Sequence, residues 1–163
     1  MSVVVSDPTP LHCLILCNAD AVLPRLFSHV LIPPIVFGEL QLSTTPPRLR
    51  EWARSLPSWA AVQAPSNLKT SLDVDPGELE AICLAREMNA FAVLMDDRTG
   101  RAAAIRSGVA VIGTMGLLEL AASRNLLGFP ETMERLRQTN ARFDPELIRV
   151  ALERNAARKP SRP

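Results

Sequence analysis

Apolar residues in this chain cluster in short unbroken runs, separated by longer stretches with helical spacing. The runs are Val3-Val4-Val5, Val30-Leu31-Ile32, Phe91-Ala92-Val93-Leu94-Met95 and Val109-Ala110-Val111-Ile112. Short runs rich in β-branched residues, apolar on both faces, read as strands of a buried parallel sheet. Trp59–Val62 is a weaker fifth strand. Helices are predicted between them. Pro8 and Pro10 suit a first helical turn, and Leu11–Cys17 continues it. Asp20 is expected to cap a second helix through Phe27. Further helices are predicted over Ile35–Leu42, from Thr45-Pro46-Pro47 to Leu56, and over Glu78–Met88, Thr99–Ser107, Pro130–Asn140 and Pro145–Ala157. Gly108 is a natural helix C-cap, and Thr114 is expected to cap a helix reaching Asn125. Residues 64–76 read as a loop, and the tail from Arg158 is expected to fray. Strands and helices that alternate in this way favour a parallel sheet with helices on both faces.

Composition narrows the class. The 163 residues suffice for one domain with a proper core, and 47% of them are apolar. The net charge of +1 exerts no global pull toward nucleic acid or membrane. It is uneven, however: residues 131–163 hold eight basic and five acidic side chains, net +3, and the remainder sums to −2. Arginine dominates the basic residues, with only Lys69 and Lys159 as lysines. No apolar run is long enough to span a membrane and no secretory signal is seen, so a cytoplasmic protein is expected. Cys13, Cys17 and Cys83 form no disulfide pattern and read as small core residues. A metal site at Cys13, Cys17 and His12 lacks a second ligand pair at zinc-finger spacing. Leu14, Leu16, Leu23 and Leu26 fit either the core or a helical dimer surface.

The candidate chemistry is acidic. Asp7 closes the first strand, and Asp96 with Asp97 closes the fourth. Glu39 lies in the helix after strand two, and Glu78 opens the helix before strand four. Singly, each has an ordinary explanation as a helix cap, a first-turn acid or a solvated residue. In an open α/β sheet, ligands bind beyond the carboxyl ends of the strands, so the four can converge there. Clustered carboxylates call for a hard cation such as Mg²⁺ or Mn²⁺, which can polarise a phosphoryl group and activate water for in-line attack. Phosphate-loop, dinucleotide-fold and nucleophile-elbow motifs are missing. His12 and His29, the only histidines, both border apolar runs.

Five segments in order resemble the PIN domain: Val3-Val4-Val5-Ser6-Asp7, Val30-Leu31-Ile32-Pro33-Pro34, Asp75-Pro76-Gly77-Glu78-Leu79-Glu80-Ala81-Ile82, Leu94-Met95-Asp96-Asp97-Arg98 and Val111-Ile112-Gly113-Thr114-Met115-Gly116. They are most similar to a PIN-like branch, once filed as a domain of unknown function, that is often encoded beside small antitoxin-like proteins. The resemblance implies a three-layer α/β/α sandwich with a mostly parallel sheet of about five strands over residues 1–128. Residues 129–163 would be a C-terminal helical extension packed on the same domain. It also implies a metal-dependent endoribonuclease, the toxin of a toxin–antitoxin pair, using Mg²⁺ or Mn²⁺ on RNA. Its four acids fall on Asp7, Glu39, Glu78 (with Ala85 as the small residue seven positions on) and Asp96. Asp97 is a close alternative to Asp96, so the metal ligands would come from Asp7, Glu78, Asp96 and Asp97. A small antitoxin and a second copy of the chain are the implied partners.

The chain departs from the family pattern after Asp7, where Pro8 intervenes and the expected hydroxyl moves to Thr9. Proline removes a backbone donor there and stiffens the turn. Arg98, Arg101, Arg50 and Arg54, with Arg48, are the candidate RNA contacts, and the C-terminal positive excess could extend that surface. Two alternatives stay open. One is a PIN-fold binding module with weakened turnover, motivated by Pro8. The other is a phosphatase resembling the haloacid dehalogenase class, for which Lys69 is the sole usable lysine.

Overall fold

The computed structural model describes residues 2–158, so Lys159 and the rest of the tail expected to fray lie outside the described residues. The elements run β1 (Val3–Ser6), α1 (Pro8–Leu16), α2 (Leu23–Leu26), β2 (His29–Ile32), α3 (Pro34–Glu39), α4 (Pro47–Arg54), β3 (Ala60–Val62), α5 (Pro76–Glu87), β4 (Ala92–Leu94), α6 (Arg98–Arg106), β5 (Val111–Ile112), α7 (Thr114–Ser123), α8 (Phe129–Arg137) and α9 (Pro145–Ala157). The five strands form one parallel sheet in the order β3-β2-β1-β4-β5. The chain therefore winds outward from β1 to β3, crosses back, and winds the other way through β4 and β5. The β1/β4 junction is the switch point, where neighbouring crossovers leave in opposite directions and open a crevice.

Strand residues alternate between two cores, as a two-sided sheet demands. Val4, Val30, Ile32, Ala92 and Leu94 face one cluster, with α1, α2, α4, α7, α8 and α9. Val5, Leu31, Val93 and Met95 face the other, with α5 and α6. Helices thus cover both faces, giving a three-layer α/β/α sandwich. Phe129, Met133, Leu136, Ile148 and Ala151 carry α8 and α9 into the first core. Leu14, Leu23 and Leu26 are buried in it and Leu16 packs against its edge, which accounts for their apolar character as core.

Local chemistry explains where the elements begin and end. Gly108, just past α6, has φ +78°, a left-handed value that glycine adopts freely. Asp20 does not cap a helix. It sits inside a single 3-10 turn, Asp20–Val22, and the four-residue α2 then begins at Leu23 with Pro24 second. Thr114 is not a cap either: Gly113 holds that position and Thr114 is the first residue of α7.

Candidate active site

Asp7 follows the last residue of β1, and its N–H donates to the Leu94 carbonyl of β4 at 2.9 Å. Ser6 pairs with Leu94 in the parallel register. Asp7 and Asp96 therefore leave adjacent strands, which in any sheet run about 4.8 Å apart. Asp7 is the N-cap of α1, yet its carboxylate makes no hydrogen bond to that helix. The capping aspartates of α5, α6 and α9 (Asp75, Asp97 and Asp144) all accept a helix amide. An N-cap carboxylate accepts from the second or third helical residue; here the third, Pro10, has no N–H, and the N–H of the second, Thr9, is not taken by Asp7. The Asp7 carboxylate is thus not committed to its helix.

Asp7 is only 7% exposed. Burial first, then the negative fields of Glu78, Asp75, Glu39 and Asp96, push its acid group from an ordinary 3.8 to about 8. Glu78 sits at the third position of α5. Its N–H donates to Asp75 Oδ1 at 2.9 Å, and its Oε2 accepts from the Asp75 N–H at 3.3 Å, a reciprocal capping box. Burial and then Asp75 push the Glu78 acid up to about 7, with Asp97 adding to the rise. Glu80 Oε2 accepts from the Ile35 N–H at 2.9 Å and so clamps α3 to α5. This clamp holds Glu39, at the end of α3, over the start of α5: a side chain at Gly77 would meet Glu39 Oε1 at 3.1 Å. Glu39 is exposed, and partial burial followed by Asp75 raises its acid group above the ordinary range.

Asp96 turns to the other layer. Strand alternation puts Asp7 on the side of Val5, facing α5, and Asp96 on the side of Leu94, facing α7. Asp96 Oδ1 accepts from the Thr114 N–H at 2.8 Å, and Oδ2 accepts from the Thr114 hydroxyl at 2.5 Å. Thr114 is fully buried, so Asp96 is anchored at the positive N-terminus of α7. Arg101 Nη1 donates to the Met95 carbonyl at 3.0 Å and lies beside Asp96 over Gly113. Asp97 Oδ2 accepts from the Gly100 N–H at 2.9 Å and caps α6. Of the adjacent pair, Asp97 thus serves the helix, while Asp96 faces the crevice from α7.

The structure brings Asp7, Glu39, Glu78, Asp96 and Asp97 to one end of the sheet. Asp75, read in the sequence only as a turn residue, joins them; its Asp-x-x-Glu spacing to Glu78 was the available signal. Thr114, as the anchor of Asp96, had no comparable local signal. Arg101 stands at the crevice, and Arg98 is exposed beside Asp97. The α4 arginines are elsewhere. Arg48 bonds Asn18, past the opposite end of α1 from Asp7. Among the described residues Arg50 and Arg54 make no hydrogen bond or ion pair with the acids, and Arg50 Nε is buried without a partner. Thr9 is exposed and lines a small recess with His12 and Asn140. Cys13 and Cys17 are buried, and burial raises both thiols, Cys13 to about 12, so neither offers a thiolate ligand.

The donor chemistry suits a hard divalent cation: clustered carboxylates, one of them buried and without a hydrogen-bond donor among the described residues. The ion pairs among the described residues all lie elsewhere, so no lysine or arginine neutralises these acids by direct pairing. Their spacing is wider than a closed coordination shell. Among the described residues no three His, Cys, Asp or Glu side chains stand close enough to grip one ion. Asp96 is held by Thr114 on the α7 side. Asp7 and Glu78 would be the inner donors, Asp96 would face them, and Glu39 would close the pocket from α3.

Among the described residues no helix is long and apolar enough to cross a membrane. Comparison with curated proteins and with solved structures gives no match. A family model for the PIN domain matches residues 3–156, a span that includes the acidic crevice, α8 and nearly all of α9. PIN domains are generally nucleases, and the parallel sheet with acids at its switch point agrees with that architecture. The chain belongs to the PIN domain family.

Proposed function

We propose that this chain is a metal-dependent endoribonuclease that hydrolyses RNA phosphodiester bonds with Mg²⁺ or Mn²⁺. The observation that carries the reading is the Asp7 carboxylate: buried, surrounded by acids, and making no cap hydrogen bond to α1. A structural acid would be capped, paired or exposed, and this one is none of these. Asp7, Glu78 and Asp96 are the proposed ligands, with Glu39 completing the pocket; Asp97 supports it as the cap of α6.

A bound divalent ion supplies charge neutralisation at the phosphate and a water of lowered pKa. The chain's own residues do the rest. Asp7 and Glu78 provide the negative well. Glu78, whose acid group stands near 7 without metal, would give up its proton to hold the ion. Arg101 and Arg98 stand where an incoming phosphodiester would need positive charge. In the hydrolysis, a water oxygen bonds to phosphorus, the bond from phosphorus to the leaving ribose oxygen breaks, and that oxygen gains a proton.

The toxin role, a small antitoxin partner, pairing of two copies and a cytoplasmic setting belong to the same proposal; the resemblance to the antitoxin-linked branch supports them. A second reading, a PIN-fold binding module with weakened turnover, draws on the open spacing of the acids. The phosphatase reading is less well supported. The Lys69 N–H bonds Cys83 Sγ, more than a turn further along α5 than Glu78. One assay separates the readings. Purified protein with Mn²⁺ should cleave single-stranded RNA, chelator should stop it, and Glu78→Gln should slow it by at least about 100-fold. Wild-type protein that binds RNA without cutting it would favour the module. Cleavage unchanged in Glu78→Gln would point to a contaminating nuclease.

A further inference from the structure

A second cleft opens beside the acids. It has a volume of about 650 Å³ and lies between β5, the first half of α7 and the loop leading into α9. Asp96 and Arg101 line it, so the cleft shares one acid with the crevice and adjoins it there. Its floor is apolar: Ile112 and Leu120 are half-buried and Leu147 is 42% exposed. Phe143 stands half-buried at its edge, in a chain with only five phenylalanines, two tryptophans and no tyrosine.

Three acids and three arginines line the cleft, but they are not equally engaged. Glu119 is taken by Arg154 at 2.8 Å. Asp144 accepts from the Glu146 N–H and caps α9. Arg142 is exposed and makes no hydrogen bond or ion pair among the described residues. Arg101 spends one bond on a backbone carbonyl. What remains is an apolar slot with an aromatic edge, two available guanidinium groups and a carboxylate wall leading to the acids. A helix of a protein partner would be served by apolar surface alone. An aromatic ring beside arginines suits a flat base attached to a phosphate.

We propose that this cleft is a nucleotide subsite. One unstacked RNA base lies against Phe143, while Arg101 and Arg142 take the flanking phosphates. The inference rests on the ribonuclease reading for the identity of the polymer. It also gives the C-terminal residues 142–147 a task in substrate positioning.

The test is binding of fluorescein-labelled oligoadenylate to the full chain in chelator, where no metal-dependent cutting can occur. Phe143→Leu keeps an apolar side chain and removes the ring; it should weaken binding roughly 5- to 100-fold, the range of one lost base stack. Phe143→Trp should restore it. Arg142→Gln should weaken binding and flatten its salt dependence. Adenosine monophosphate should compete where ribose 5-phosphate does not. Equal binding by wild type and Phe143→Leu, no binding by wild type, or equal competition by ribose 5-phosphate would overturn the subsite. Lack of response of the cleft to adenosine monophosphate, as expected of a surface made for a protein helix, would overturn it too. Phe143-dependent binding by a protein that cuts no RNA with Mn²⁺ would leave the subsite standing and remove the nuclease.

Discussion

Asp7→Asn is expected to lower RNA cleavage by at least about 100-fold, as removal of a metal ligand should, and to make the metal-free protein more stable. Loss of activity with gain of stability is the mark of an acid held where the fold does not want it. The Asp7 acid group stands near 8 in the folded chain, against an ordinary 3.8. The folded state therefore holds a proton that the unfolded chain has released across that interval. The sign follows from linkage: Asp7 favours the fold fully below about pH 4, and that contribution is lost as pH rises through about 8. The asparagine variant carries no such slope. At about pH 9 without metal it should be more stable by about 2 kcal/mol or more, roughly 4–8 °C in melting temperature for a chain of this length. Below about pH 4 the two proteins should melt together. A pH series of melting curves reads this directly. A variant that melts earlier at every pH would make Asp7 a structural residue.

Gly100→Ala is expected to cost both stability and activity. Gly100 is in the first turn of α6, where alanine normally gains about 1 kcal/mol over glycine. Here the added carbon would lie 2.6 Å from Met95 Sδ, 2.7 Å from Glu78 Oε1 and 2.8 Å from Glu78 Cδ. Met95 and Glu78 are both buried. Relief requires moving the Glu78 carboxylate out of the position set by its capping box, or shifting α6. The net result should be about 1–3 kcal/mol of lost stability, with cleavage down about 10-fold or more as a ligand is misplaced. Gly38→Ala is the control: the same methyl meets nothing within 4 Å on α3 and should stabilise by up to about 1 kcal/mol. Thermal melts and initial rates of both variants check the pair. Full activity in Gly100→Ala would mean that the position of Glu78 does not matter to the reaction.

Much of this was legible in the sequence because the signals were local. Unbroken apolar runs gave the strands, and Pro or Gly marked most helix ends. The acids announced themselves by closing those runs. Sheet order is not local, yet it decides everything about Asp7 and Asp96. Only because β4 returns to pair with β1 do two residues far apart in sequence leave adjacent strands. Pro8 and Pro10 occupy the first turn of α1, and the Asp7 carboxylate makes no cap bond to that turn. Asp20 misled because a cap-type residue before an apolar stretch is a weak rule when Pro24 follows so closely. The α4 arginines share a charge with Arg98 and Arg101 but not a place. Their position depends on how α4 packs against α1, which no spacing rule reports. The Phe143 cleft lay beyond reach for the same reason: its walls come from β5, α7 and the approach to α9.

The most direct measurement is a calorimetric titration of the metal-free protein with Mn²⁺ near neutral pH, in two buffers of different ionisation heat. The expected result is saturable binding that releases protons, because Asp7 with its acid group near 8 must give one up to accept the ion. In Asp7→Asn both the binding and the proton release should vanish. Absence of saturable binding in the wild type, or the same isotherm in Asp7→Asn, would contradict a metal centre at the β1/β4 crevice.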